Sequence, residues 1–229
     1  MVCRLILFDL DGTLVNTGGA GLRAFDRAMA IECDPSMNLN VLSPAGMTDP
    51  AIFREIFLRN KGRLPTEDEE QRLFHRYLDY LDEEVKNSQG FRVLPGVKEL
   101  LDALAARDEF LLGLGTGNLE KGAQIKLERP GLDHYFRYGG YGSDSADRPG
   151  LLAKAVERGT ELAGSAAAVD AVVVVGDTPR DVAAGQAIDA LTLAVATGPH
   201  AVDELATTGA DLVVADLTER DKLVKWLLP

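Results

Sequence analysis

Phe8-Asp9-Leu10-Asp11-Gly12-Thr13 places two carboxylates two positions apart, with a glycine beside them, directly after the apolar run Arg4 to Phe8. Acids so placed can divide labour. One of the pair can attack phosphorus while holding a cation, and the other can protonate a leaving oxygen and later activate water. The same string also suits an Asx-type turn after a strand. A second cluster, Gly176-Asp177-Thr178-Pro179-Arg180-Asp181, follows the apolar run ending at Val175 in the same strand-then-acid manner. Oxygen ligands such as Asp9, a backbone carbonyl, Asp177 and water suit Mg2+, which demands octahedral oxygen coordination and keeps several waters, and Asp11 and Asp181 are further candidates for the metal-binding set. That second string also reads as a helix start, with Asp177 or Thr178 capping ahead of Pro179, and both readings can hold together.

The run Phe110 to Gly115 ends in Thr116-Gly117-Asn118, where a hydroxyl, a bare backbone and an amide can donate to phosphate oxygens ahead of a helix. In isolation this is ordinary loop chemistry. The crowded acids and an anionic substrate both need a positive side chain. Arg148, just before Pro149, is the favoured candidate, and Lys154, further into the same helix, is its rival.

These residues require a scaffold that brings several strand ends together. Arg4 to Phe8, Phe110 to Gly115, Arg137 to Tyr141, Ala171 to Gly176, Leu191 to Ala196 and Asp211 to Val214 are short apolar runs. Lacking polar alternation, they suit strands covered on both faces. Most are separated by stretches of helical period, such as Val97, Leu100, Leu101 and Leu104 after Pro95-Gly96. The order predicts an α/β protein with a doubly wound, mainly parallel sheet. Between about Gly18 and Gly90 there is no convincing strand. That stretch offers helices near Leu22 to Ile31, Pro50 to Lys61 and Glu67 to Lys86, the last opened by Thr66 and Glu69 in capping-box spacing. The expected division is a core of residues 1–16 and 91–229 and a helical insertion of residues 17–90, with Gly46-Met47-Thr48-Asp49 as a loop facing the acids.

The chain has 229 residues, enough for such a core and insertion. Twenty-four Lys and Arg stand against 36 Asp and Glu, a net charge of −12 that repels nucleic-acid phosphates. The two cysteines, Cys3 and Cys33, form no metal-binding pair or disulfide framework, so a cytoplasmic location is expected. The first residues resemble neither a signal peptide nor a membrane span. Gly113 to Asn118 lacks the final glycine of a dinucleotide fingerprint. The three histidines, His75, His134 and His200, have no ligand-like spacing.

The DLDGT string at Asp9, TGN at Thr116, a basic residue at Arg148 and GDTPRD at Asp177, in this order, resemble the haloacid dehalogenase superfamily. The insertion resembles the helical cap of its phosphoglycolate-phosphatase-like branch. The resemblance implies a Rossmann-like core, Asp9 as nucleophile and Asp11 as acid/base. It further implies phosphate contacts from Thr116 and from the basic residue, and Mg2+ held with the help of Asp177 and, through water, Asp181. The family usually has lysine where Arg148 stands; arginine supplies charge and a planar fork instead. Dehalogenase members lack the second acid of the first motif, so Asp11 argues for phosphoryl transfer. The expected activity is hydrolysis of a small phosphorylated metabolite, phosphoglycolate or sugar-phosphate-like. The alternatives are a phosphomutase of the same superfamily and a non-catalytic protein that binds a phosphorylated ligand. Oligomeric state is not legible.

Overall fold

A strand that must be apolar on both sides sits at the centre of the molecule. The computed structural model describes residues 2–32, 44–164 and 168–228; Cys33 lies outside them. In β1 (Val2–Phe8), Leu5 and Leu7 face one apolar layer with Tyr138, Leu151 and Val174. Ile6 and Phe8 face the other, with Leu101, Leu114, Val173 and Val175. The pleat divides one continuous apolar run between two layers, which is why no polar alternation marks it.

Five further strands complete a parallel sheet: β4 (Phe110–Thr116), β5 (Tyr138–Tyr141), β6 (Ala168–Gly176), β7 (Leu191–Val195) and β8 (Leu212–Val214). Their order is β5-β4-β1-β6-β7-β8, and every adjacent pair is parallel. Each of the six apolar runs is a strand, although β6 begins at Ala168 rather than Ala171. Helices α4 (Val97–Ala105), α5 (Glu120–Glu128), α6 (Arg148–Ala163), α7 (Pro179–Gln186), α8 (Val202–Ala206) and α9 (Arg220–Leu227) make up the rest of this α/β fold. From β1 the chain builds outward in both directions, so the carboxyl end of β1 is a topological switch point, the place where such sheets open a crevice for ligands.

Helices α1 (Ala20–Glu32), α2 (Asp49–Lys61) and α3 (Glu67–Asn87) intervene between two short strands that the sequence did not reveal. These are β2 (Val15–Thr17) and β3 (Phe91–Val93), which pair antiparallel with Asn16 opposite Arg92. At three residues each they are too short to show a period. They bring the outgoing and returning chains together, and Ser88 Oγ donates to the Thr17 carbonyl at 2.7 Å. A Cβ on Gly18, whose φ is +61°, would lie 2.7 Å from the Gly90 backbone, so glycine permits this approach.

The three helices share their own apolar cluster. Phe25 stacks on Phe53 with centroids 4.2 Å apart, and Tyr77 lies 4.4 Å from Phe25. Thr66 and Glu69 form the capping box that opens α3. The cluster runs on into Leu119 and Ile125 around α5, docking the helices against the sheet side of the molecule. Among the described residues no helix is long and apolar enough to cross a membrane.

Phe53 is fully buried at the centre of this cluster, whereas Leu22 is 48% exposed. Phe53→Ala is expected to destabilise the fold by about 3–5 kcal/mol, and Leu22→Ala by no more than about 0.5 kcal/mol. Urea unfolding followed by circular dichroism checks both values.

Candidate active site

The carboxyl ends of β1, β4 and β6 converge because their registers are locked: Phe8 lies opposite both Leu114 and Val175. The next residue, Asp9, donates its backbone N–H to the Val175 carbonyl at 2.8 Å and keeps a buried side chain. Asp177, just beyond β6, and Asp181, in the first turn of α7, are buried beside it. One carboxylate oxygen from each of Asp9, Asp177 and Asp181 lies within 4.8 Å of the others.

Local sequence explains how these acids are held. Thr178 and Asp181 form a capping box at the start of α7, with Pro179 at the first helical position. Asp181 Oδ2 accepts from Thr178 N at 2.9 Å and Thr178 Oγ1 at 2.6 Å, so the capping reading and the acid-cluster reading hold together. Asp177 Oδ1 accepts from Thr13 Oγ1 at 3.1 Å. A Cβ on Gly12 would stand 2.3 Å from Asp177 Oδ2, and one on Gly198 only 1.7 Å away. These glycines form a cradle that leaves one carboxylate oxygen of Asp177 uncovered. Gly198 went unnoticed in the sequence because it belongs to the loop after β7, which carries no acid.

The basic group beside the acids is Arg148. Its guanidinium meets Asp181 Oδ1 directly and stands 3.5 Å from Asp9 Oδ1. Asp147 caps α6 through the Gly150 N–H and fixes Arg148 as the first helical residue. Lys154 points elsewhere: it is substantially exposed and pairs with Glu157 at 2.7 Å. Arg148 Nε is buried and has no hydrogen-bond partner among the described residues.

Thr116, Gly117 and Asn118 lie on the other side of Asp9. Thr116 Oγ1 accepts from Asn118 Nδ2 at 2.9 Å. Gly117 is pressed beneath the loop before α2, where a Cβ would meet the Met47 carbonyl at 2.5 Å. That loop is tied down from several sides. Asp49 N donates to the Gly117 carbonyl at 2.7 Å, Thr48 Oγ1 to the Ala146 carbonyl at 2.8 Å, and Arg180 to the Ala45 carbonyl. Gly46, Met47 and Asp49 line the same cavity as Asp9, Asp11 and Asp177.

Asp11 does not share the carboxylate cluster with Asp9, Asp177 and Asp181. Its Oδ2 accepts instead from Lys126 Nζ at 2.6 Å and Asn118 Nδ2 at 2.9 Å. Lys126, 3% exposed on α5, was missed in the sequence. The signal was present: Leu119, Gly122, Ala123 and Lys126 follow a spacing of three and four, which puts the lysine on the buried face of its helix.

Burial raises the carboxyl of Asp9 to about 7, with Asp181 and Asp11 adding repulsion and Arg148 opposing them. Burial likewise raises Asp177 to about 8, reinforced by Asp9 and Asp181. One guanidinium does not satisfy this cluster. Asp49 is raised to about 6 by burial, against the pull of Lys126. Asp9, Asp11, Asp49, Lys126, Arg148 and Asp177 border one cavity of about 820 Å3, walled by Val15 of β2 and, on the helical side, by Leu22, Phe25, Ile52 and Tyr77, with the exposed Arg92 among its lining residues.

Residues 6–195 match the family model described as haloacid dehalogenase-like hydrolase. A Dickeya dadantii protein named "Probable phosphatase IndB" is 29% identical over 223 residues, covering 94% of this chain and 90% of that one. A Listeria innocua protein named "Pyrophosphatase PpaX" is 27% identical over 227 residues, covering 96% and 95% respectively. A Haemophilus somnus structure described as a "predicted phosphoglycolate phosphatase" superposes with a TM-score of 0.71 at 23% identity, over 97% of this chain and 98% of that one, a likeness of fold. The family match covers most of the sheet and both acid-bearing strand ends, and the chain belongs to the haloacid dehalogenase-like hydrolases.

Proposed function

We propose that this hydrolase is a Mg2+-dependent phosphatase that acts on a small phosphorylated metabolite through an aspartyl-phosphate at Asp9. The observation that carries this reading is the setting of the Asp9 carboxylate. It lies within 4.8 Å of two further buried acids and 3.5 Å from the guanidinium of Arg148, which has a buried donor to spare. A nucleophile between a cation-binding group and an anion-binding group suits phosphoryl transfer. Relatives named as a phosphatase and a pyrophosphatase support the same class.

The donor set fits a hard dication: carboxylate oxygens from Asp9 and Asp177, with Asp181 acting through water and a backbone carbonyl and further waters completing the shell. The glycine cradle around Asp177 and the unsatisfied charge of the cluster point the same way. Mg2+, when bound, neutralises charge on the phosphoryl oxygens and polarises phosphorus for attack.

Asp9 forms a bond to phosphorus as the bond to the leaving oxygen breaks. The leaving oxygen keeps the electron pair and takes a proton from Asp11. Water then attacks phosphorus, gives a proton to Asp11 and displaces Asp9, which releases inorganic phosphate. Arg148 Nε, the Thr116 hydroxyl and the neighbourhood of Gly117 and Asn118 receive the phosphoryl oxygens. Residues 17–90 serve as a cap whose closure excludes bulk water and selects the substrate. Arg92 gives the cavity lining a positive charge, which favours a substrate with a second anionic group, such as phosphoglycolate. The free, buried thiol of Cys3 suits a reducing cytoplasm.

Phosphate release from a panel of phosphorylated metabolites, with and without MgCl2, tests the reaction. Release is expected to require the metal and to fall at least about 10³-fold in Asp9→Asn. Isomerised product without free phosphate would identify a mutase instead.

Arg92→Ala is expected to raise KM for phosphoglycolate roughly 10-fold while changing that for p-nitrophenyl phosphate by less than about 2-fold. Steady-state kinetics on the two substrates decide it.

The acid cluster also sets a pH dependence. A carboxyl raised in the folded state binds its proton more tightly than in the unfolded chain. Its stabilisation is complete below the ordinary carboxylate range and is lost as pH rises through about 7 for Asp9 and about 8 for Asp177. A dication must displace those protons. The rise in melting temperature at one fixed MgCl2 concentration is therefore expected to be larger near pH 8 than near pH 6, and abolished in Gly198→Ala. Differential scanning fluorimetry at the two pH values checks this.

A further inference from the structure

Lys126 is nearly as buried as any charged group in the molecule, yet it lies outside the acid cluster and the phosphoryl-binding groups described above. An ammonium is costly to bury unless every partner is in place. Its partners are Asp11 Oδ2 and Asn118 Oδ1, each at 2.6 Å. Asn118 Nδ2 closes the ring by donating to the same Asp11 Oδ2 at 2.9 Å. Lysine can only donate, so it forces the Asn118 amide to present its oxygen on that side and its nitrogen toward Asp11. Both donors converge on one oxygen of a carboxylate whose side chain is still 42% exposed, and Asp11 lines the cavity. The other oxygen, Oδ1, stays available to a reacting group.

We infer that Lys126 is a positioning residue for Asp11: it pins Oδ2, directly and through Asn118, so that Oδ1 is presented to the leaving oxygen of the substrate. This rests on the reading of Asp11 as the proton donor. As Asp9 bonds to phosphorus, the electron pair of the breaking bond goes to the leaving oxygen, and the proton travels from Asp11 to that oxygen. A carboxyl free to rotate would meet the leaving group less often, and the penalty would depend on how much the leaving group needs the proton.

Leaving-group chemistry supplies the test. An aryl oxide departs without protonation, whereas an alkoxide does not. The ratio kcat/KM reports the steps through loss of the leaving group. It is to be measured with Mg2+ on p-nitrophenyl phosphate and on alkyl phosphates, for the wild type, Lys126→Met, Lys126→Gln and Asp11→Ala. Lys126→Met is expected to lose about 10²-fold on alkyl phosphates and less than about 5-fold on p-nitrophenyl phosphate, a steeper dependence on leaving-group pKa than in the wild type. Lys126→Gln keeps a donor for Asp11 and should fall between the two. Melting curves establish that each variant is folded, and Lys126→Gln decides the matter where the methionine chain is not. A selective loss in Asp11→Ala with an equal loss on both substrate classes in the Lys126 variants overturns the positioning role alone. An equal loss in Asp11→Ala overturns the acid role of Asp11 and this inference together.

Discussion

Three carboxylates buried at one strand end constrain everything around them. Two unit charges 4 Å apart repel by about 4 kcal/mol at an effective dielectric constant of 20. Oxygens of Asp9, Asp177 and Asp181 lie within 4.8 Å of one another, and the guanidinium of Arg148 must serve more than one of them. The surroundings act as compensation. The α7 capping box gives Asp181 two donors on one oxygen, Thr13 gives Asp177 one, and the Leu10 amide favours ionised Asp9. What remains unsatisfied is raised toward neutrality, a setting that suits a cation-binding group. On the proposed reading of Asp9 as nucleophile, a dication held by these acids would favour its ionised form, so that metal binding and nucleophile activation would be one event.

The same crowding explains why the helical segment is attached to the site instead of hanging free of it. Asp49 is the first residue of α2, yet its carboxylate accepts from the Leu119 N–H at the start of α5 at 2.9 Å and from the Tyr77 hydroxyl of α3. Lys126 lies close enough to oppose the rise of Asp49 while it bonds Asp11. The inserted helices and the acid of the first motif therefore share one buried ammonium. Movement of the proposed cap must disturb the bonds of Asp49 and, through Lys126, the surroundings of Asp11. The β2–β3 pair limits that movement at the other end, because Gly18 and Gly90 pass in backbone contact.

Features carried by contiguous sequence were legible; features made by distant chain segments were not. The strands of the sheet could be read because two-sided burial makes them apolar throughout, and the capping boxes because they are local strings. Asp9 and Asp177 stood out because each follows directly on such a strand. Arg148 could be favoured over Lys154 because a residue at the first turn of a helix beside a strand end faces the crevice, while one deeper in the helix has a whole exposed face available. Lys126 could not be distinguished by type, since a lysine on a short amphipathic helix is most often solvated. Only its place on the stripe with Leu119 and Ala123 marked it. Gly198 and the β2–β3 pair had even less: one glycine in a loop, and two strands too short to have a period. Their roles arise from a carboxylate and a backbone contributed by other parts of the chain.

Arginine at position 148 fits this economy of charge better than lysine would. A guanidinium offers donors along a rigid plane, so one side chain can bond Asp181, approach Asp9 and still keep Nε free of any partner among the described residues. An ammonium is a point charge and would have to choose among the acids. On the proposed reading, the group that steadies Asp181 would keep a donor for an incoming oxyanion, with no rearrangement of the acids needed when the substrate arrives. The second cation, Lys126, then need not touch the phosphoryl group at all. The two acids of the first motif, only two residues apart, therefore have different neighbours: Asp9 stands among carboxylates that disfavour its charge, while Asp11 bonds Lys126 and Asn118.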